Sequence, residues 1–244
     1  MSILNIFYDW MHCAHLGIYM YILGSIMHLL VYDVMKQSPA ANLSALWVKI
    51  KIYYVSHSVP SRYNKMKMTM FGTGKESGPK LRGKAAQVKC MCKVLQHIWN
   101  KLMDKESEVH KQISVLLQCM TKMEEILHDH KTDHVLPVQI AEKFKKYCFA
   151  MLQIQQKLAF HFAEKGKKMF TLTQKGHFMA HIASLAHLLN PIRTWCYKGE
   201  DMMKIFRGVT ESCVRGLSAP AVAVKAASHY RLGLHLEFEQ LQYD

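Results

Sequence analysis

Acidic residues are scarce in this chain of 244 residues. Asp and Glu together number 18, against 32 Lys and Arg, which gives a formal net charge of +14. A surplus of this size favours polyanionic partners such as nucleic acid or an anionic membrane surface. Half of the residues are apolar, so the chain can bury a core and does not have the composition of a disordered protein.

Paired cysteines are also missing. The seven cysteines are odd in number and no C-x-x-C pair occurs, which argues against a disulfide scaffold and against a zinc ribbon. Cysteines without a disulfide pattern predict an intracellular location, nuclear or cytoplasmic. No Lys or Arg precedes Lys36, so the N-terminus also lacks the basic start of a secretory signal.

Only one long uncharged apolar run occurs, at residues 16–32. It is short of the roughly 20 residues that a membrane-spanning helix needs, and His28 lies inside it. We therefore predict a buried core helix and no membrane partner. A membrane-associated helical protein remains an alternative.

Helical spacing dominates the rest of the chain, which predicts a mainly α fold built as a helical bundle. The first helix is predicted over residues 5–36, with a break near Gly17 or Gly24. A second helix would begin at Asn42 or Ser44, although its β-branched and aromatic residues leave a strand possible. The predicted later helices cover residues 84–104, 107–130, 137–165, 174–189, 200–215 and 219–233, with 193–197 extended.

These patterns divide the chain into four regions. Residues 1–59 hold the apolar N-terminal helices, 60–83 form a basic loop rich in Gly and Pro, 84–165 form a bundle, and 166–244 form a C-terminal helical region. The loop and its end carry cations that could follow a phosphate backbone, although a solvated connector is the simpler interpretation. These cations are Arg62, Lys65, Lys67, Lys75, Lys80, Arg82 and Lys84.

A phosphate-binding loop is excluded in the same region. The segment Gly72–Ser77 reads GTGKES, but Thr69 stands where the first glycine is required. Glu76 stands where a hydroxyl must follow the lysine.

Histidines and acids supply the remaining candidates. His177 and His181 share one helix face, but a zinc site needs three or four ligands, so hydrogen bonds that orient a buried helix are the simpler interpretation. Asp9 and His12 are three residues apart and hence adjacent on a helix. Glu200 falls in the first turn of a predicted helix, where the helix dipole favours an acid.

Two segments resemble cut-and-paste transposases of the CACTA type. FYDWMHCAHLGIYMYILGSI is similar to their D-x-x-H segment, and HFMAHIASLAHLLNPIRTWCYKGEDMM is similar to the region that leads from an H-x-x-x-H helix to a glutamate. PKLRGKAA and LNPIRTWCY are similar to signatures of a lineage-specific transposon-derived family.

The resemblance implies an RNase H-like core interrupted by a helical insertion, here residues 84–165. Two Asp and a terminal Glu would hold two divalent metal ions, Mg²⁺, in that family. Asp9 and His12 match its D-x-x-H motif, and Glu200 matches its terminal acid.

The departures from the family limit what this chain is expected to do. The two catalytic aspartates of the family lie upstream of the D-x-x-H motif, and here the motif begins at Asp9. One glutamate cannot hold a two-metal pair. We therefore expect a truncated or degenerate transposase-like protein, a C-terminal portion without nuclease activity or a cofactor of its own. Its expected partners are DNA, the missing catalytic portion or a second copy. A basic helical nucleic-acid-binding protein is the alternative.

Overall fold

Eight α-helices make up the computed structural model, which describes residues 8–72, 78–214, 216 and 218–240. No strand occurs among these residues, and the predicted mainly α class is confirmed. The helices are α1 (Tyr19–Leu29), α2 (Pro39–Ser56), α3 (Ala85–Leu102), α4 (Glu108–Asp129), α5 (Val138–Glu164), α6 (Gln174–Ser184), α7 (Tyr197–Cys213) and α8 (Ala219–Gln240). The chain forms two compact units, Met1–Trp195 and Cys196–Asp244.

A continuous apolar segment, Met11–Val34, runs through the first unit. In it, α1 is flanked by π-helical turns at Met11–Ile18 and Leu30–Val34. Gly17 leaves helical geometry (φ −127°, ψ −108°), so the predicted break near Gly17 is confirmed, whereas Gly24 lies inside regular helix. The segment is long and apolar enough to cross a membrane, but 83% of its most apolar window is buried by the rest of the protein.

The other helices of the first unit surround this segment. The helix α1 contacts α3, while its flanking turns contact α2, α3 and α6. Next to it, α4 packs between α3 and α5, and α5 also contacts α6. The apolar face of the first segment is thus covered by the chain's own helices.

The bundle helices α3, α4 and α5 agree closely with their predicted bounds. Their apolar stripes are buried as the spacing predicts, with Val88, Leu95 and Trp99 on α3 all inaccessible. Consecutive helices pack side by side across short turns, which is the arrangement of an antiparallel bundle.

The segment with the ambiguous pattern, α2, is a helix and not a strand. It begins at Pro39, earlier than predicted, because Ser38 caps it: the Ser38 hydroxyl accepts a hydrogen bond from Ala41 N at 3.4 Å. Asn42 then lies buried inside the helix, and its amide donates to Val31 O (2.8 Å) and Met35 O (2.9 Å). These bonds satisfy carbonyl groups at the end of the first helical segment.

The C-terminal elements differ more from the prediction. The helix α6 ends at Ser184, and a 3₁₀ turn at Pro191–Arg193 precedes α7. The predicted extended stretch at 193–197 is therefore wrong, and α8 continues past the predicted end at 233. In the second unit, α7 and α8 pack together through a ring contact between Phe206 and Tyr230 with centroids 5.3 Å apart.

Candidate functional site

The basic loop at residues 60–83 is anchored to the core of the first unit. Tyr63, Met66, Phe71 and Leu81 are all buried. The described part of this loop, residues 60–72 and 78–83, is therefore an irregular but core-packed element. The interpretation of it as a solvated connector is wrong.

Backbone contacts fix the end of this loop against α1. The Leu81 N–H donates to Met20 O at 2.8 Å. Gly24 permits this approach, because a Cβ atom there would lie 2.6 Å from Leu81 N and 2.7 Å from Lys80 Cα. The loop thus rests directly on the backbone of the central helix.

Most of the predicted DNA-binding cations point to solvent from this anchored segment. Lys80 is half-buried, with its Nζ 5.1 Å from the centroid of the Tyr21 ring. Lys75 lies outside the described residues. The exposed cations are Arg62, Lys65, Lys67, Arg82 and Lys84.

Hydrogen bonds join the two ends of the loop. The Arg82 N–H donates to Met70 O at 2.7 Å. Gln87, in the first turn of α3, accepts from Lys84 N and donates its side-chain N–H to Arg62 O, each at 2.9 Å. Arg62 and Lys84 are consequently held near each other although 22 residues separate them in the sequence.

The motif residues Asp9 and His12 lie at the start of the first helical segment. Asp9 Oδ1 accepts a hydrogen bond from Met11 N at 2.8 Å, and Asp9 O accepts from Cys13 N at 3.0 Å. The other carboxylate oxygen of Asp9 pairs with His12 Nδ1. In this arrangement the Asp9 carboxylate caps the first turn, so the D-x-x-H spacing has a structural use.

The remaining motif residues lie on α6 and α7. His177 and His181 are exposed on α6, and their Nε2 atoms are 2.9 Å apart. These two imidazoles bond to each other at the surface, and they do not orient a buried helix. Glu200 belongs to the first turn of α7, as predicted.

A second candidate site, which the sequence patterns did not single out, centres on Glu124 of α4. Its side chain is almost fully buried, and one carboxylate oxygen, Oε1, accepts three hydrogen bonds. The donors are Trp10 Nε1 at 3.4 Å, His15 Nε2 at 2.9 Å and Tyr19 OH at 3.2 Å. Burial alone would raise the pKa of Glu124, but the charge and hydrogen bond of His15, with Lys89 and Trp10, bring its pKa below the ordinary value.

The other oxygen of Glu124 faces a different environment. Lys89 Nζ is 3.8 Å from Oε2, which is beyond hydrogen-bond length, and it lies 4.6 Å from the centroid of the Trp195 ring. Among the described residues, neither Glu124 Oε2 nor the buried Thr121 hydroxyl has a hydrogen-bond partner.

Thr121 and Glu124 line a cavity of about 430 Å³. The helix α3 contributes Lys89, Cys90 and Lys93 to the lining, and α4 contributes Glu125, His128 and Asp129. The cavity is also lined by four residues from the end of α2 and the segment after it: Tyr53, His57, Val59 and Pro60. Three carboxylates thus share the cavity with two ammonium groups.

A signal for Glu124 is present in the sequence. It lies four residues after Met120 and three before Leu127, so the helical stripe itself places a carboxylate on the buried face of α4. Its donors lie more than 100 residues earlier in the chain, which no local pattern reveals.

The cysteines offer no activated thiol in the first unit. Burial raises the pKa of Cys148 to about 12 and that of Cys13 to about 11. Thiols with such values are rarely ionised near neutral pH and are poor nucleophiles. The buried thiols of this unit serve as small apolar groups in the core; they are Cys13, Cys92, Cys119 and Cys148.

Comparison of the chain with the profiles of known protein families, with curated proteins and with solved structures finds no match.

Proposed function

We propose that this chain is a nucleic-acid-binding helical protein that contacts phosphate groups through the exposed cations of residues 60–84. The observation that carries the proposal is the anchored loop. Five exposed cations occupy a segment that buried side chains and backbone hydrogen bonds hold in place. Cations presented on an ordered segment lose less conformational entropy on binding than cations on a free tail.

The net charge supports the same proposal. A charge of +14 attracts a polyanion over long range and raises its association rate at low salt. Contacts to phosphate groups carry no sequence information, so we expect binding without strong sequence preference.

Salt dependence of DNA binding tests this proposal. We expect the affinity for a labelled duplex, measured by fluorescence anisotropy, to fall steeply between about 50 and 200 mM salt. The triple variant Lys65→Ala, Lys67→Ala, Arg82→Ala should bind more weakly, with a salt slope smaller by up to about 3, since each phosphate contact contributes roughly 0.9.

A matched control distinguishes binding through the loop from attraction by the overall positive charge. Lys143, Lys146 and Lys157 are exposed on α5, and their replacement by Ala removes the same charge elsewhere. This control should keep nearly the original slope. Equal losses in both triple variants would reject the loop as the binding surface.

We further propose that the protein is of the transposase-derived type that its motifs resemble, without nuclease activity of its own. The described residues include no strand of the kind that carries the two aspartates of an RNase H-like core. Supercoiled plasmid incubated with the protein and Mg²⁺ should therefore stay intact. Nicking that disappears in Glu200→Gln would contradict this part of the proposal.

A further inference from the structure

The geometry points to a binding site for a small aliphatic diamine of the polyamine class in the cavity between α3, α4 and residues 53–60, with Glu124 and Thr121 at its buried end. This inference concerns a different surface from the basic loop. It does not depend on nucleic-acid binding.

The buried end of the cavity presents acceptors without partners. Glu124 Oε1 is occupied by core donors, whereas Oε2 and the Thr121 hydroxyl have no hydrogen-bond partner among the described residues. Leaving a buried acceptor unsatisfied costs about 1–3 kcal/mol, and more for a charged group. A primary ammonium, with three N–H donors, can bond to both of these groups at once.

The walls and outer part of the cavity fit the rest of a diamine. Tyr53, Val59 and Pro60 supply aromatic and apolar surface for a methylene chain. Asp129 also lines the cavity, roughly 7.5 Å further along the axis of α4 and about 140° around it from Glu124. It is exposed and offers a second carboxylate to the far ammonium.

The charges in the cavity also favour a cation over an anion. Lys93 Nζ forms a salt bridge with Glu125 at 3.0 Å, and Lys122 Nζ forms another with the same carboxylate at 2.8 Å. On the cavity side, Lys89 Nζ lies 3.8 Å from Glu124 Oε2, while His15 bonds to Oε1 on the core side. The cavity lining thus contains three carboxylates, Glu124, Glu125 and Asp129, against the ammonium groups of Lys89 and Lys93, in a protein that is basic overall.

Three four-carbon probes with different end groups test this inference on the full chain. Putrescine, butane-1,4-diol and succinate carry ammonium, hydroxyl and carboxylate ends, respectively. Calorimetric titration at fixed ionic strength should show saturable binding of putrescine alone. Because the chain is strongly basic, nonspecific attraction of a diammonium ion is disfavoured, so saturable binding reports a site. Equal binding of the diol, preferred binding of succinate or no binding of putrescine would overturn the inference.

Variants then locate the site. Thr121→Val removes one hydrogen bond at nearly constant volume and should weaken putrescine binding roughly three- to tenfold. Lys89→Met removes the ammonium that competes for Glu124 Oε2, so putrescine should bind on the order of tenfold more tightly. Lys111→Met, an exposed lysine of α4 outside the cavity, should leave binding unchanged.

Opposite results in these variants would overturn the inference. Unchanged binding in Thr121→Val would place putrescine elsewhere, and weaker binding in Lys89→Met would show that Lys89 does not compete for the carboxylate. Neither substitution removes Glu124, so the test does not depend on the folding of a Glu124 variant.

Discussion

At the residue scale, the charge of Glu124 makes the stability of the core depend on pH. Its pKa is lowered in the folded protein, chiefly by His15 against the opposing effect of burial. The folded state consequently holds this proton less tightly than the unfolded state. The contribution to stability is present above the ordinary value near 4.5 and is lost as the pH falls through the lowered pKa of the folded state.

Replacing this carboxylate should remove both the charge pair and its pH dependence. Glu124→Gln is expected to lower the free energy of unfolding by about 3–5 kcal/mol near pH 7, because it removes a buried carboxylate that accepts three hydrogen bonds from the core. In urea unfolding from pH 7 down to pH 3, the difference between the original protein and the variant should shrink. Glu125→Gln, at a partly exposed position, should change stability less. A difference that stays constant across this range would refute the assignment.

At the scale of secondary-structure elements, the approach of the basic loop to α1 depends on Gly24. An alanine inside an exposed helix normally stabilises it by about 1 kcal/mol relative to glycine. At Gly24 the added Cβ would instead press on the backbone of Lys80 and Leu81. We expect Gly24→Ala to destabilise the protein by about 1–3 kcal/mol and to weaken DNA binding, as the loop is displaced.

The matched substitution is Gly208→Ala on α7. Nothing lies within 4 Å of the Cβ position there, so this variant should stabilise the second unit by about 0.5–1 kcal/mol. Chemical unfolding of both variants checks the pair. If Gly24→Ala were as stable as Gly208→Ala, the loop would not rest on α1.

Regular elements could be predicted from the sequence, whereas irregular packing could not. The stripes of α3, α4 and α5 repeat every three or four residues, and each helix begins and ends within two residues of its prediction. Tyr63, Met66, Phe71 and Leu81 follow no such period, so their anchoring of the loop was missed. Glu124 was overlooked for a related reason, because its partners Trp10, His15 and Tyr19 reach it only through the tertiary fold.

At the scale of the whole molecule, burial is distributed unevenly between the two units. The continuous apolar core belongs to the first unit, where Trp10, Trp99 and Phe144 are fully inaccessible. In the described part of the second unit, Cys213 and Ala226 are the buried apolar residues. Helices in proteins gain most of their stability from packing and little from propensity alone. The second unit should therefore open far more readily than the first.

Hydrogen exchange followed by mass spectrometry tests this difference in the intact chain. Amides of α7 and α8 should exchange roughly 100-fold or more faster than those of α4 and α5, because local opening exposes little apolar surface there. The helix α2 provides an internal reference, since it belongs to the first unit but exposes Val48, Ile52 and Val55. It should exchange at an intermediate rate. Protection of α7 equal to that of α4 would mean that the second unit is stabilised by more than its own packing, and the expected order of opening would be wrong.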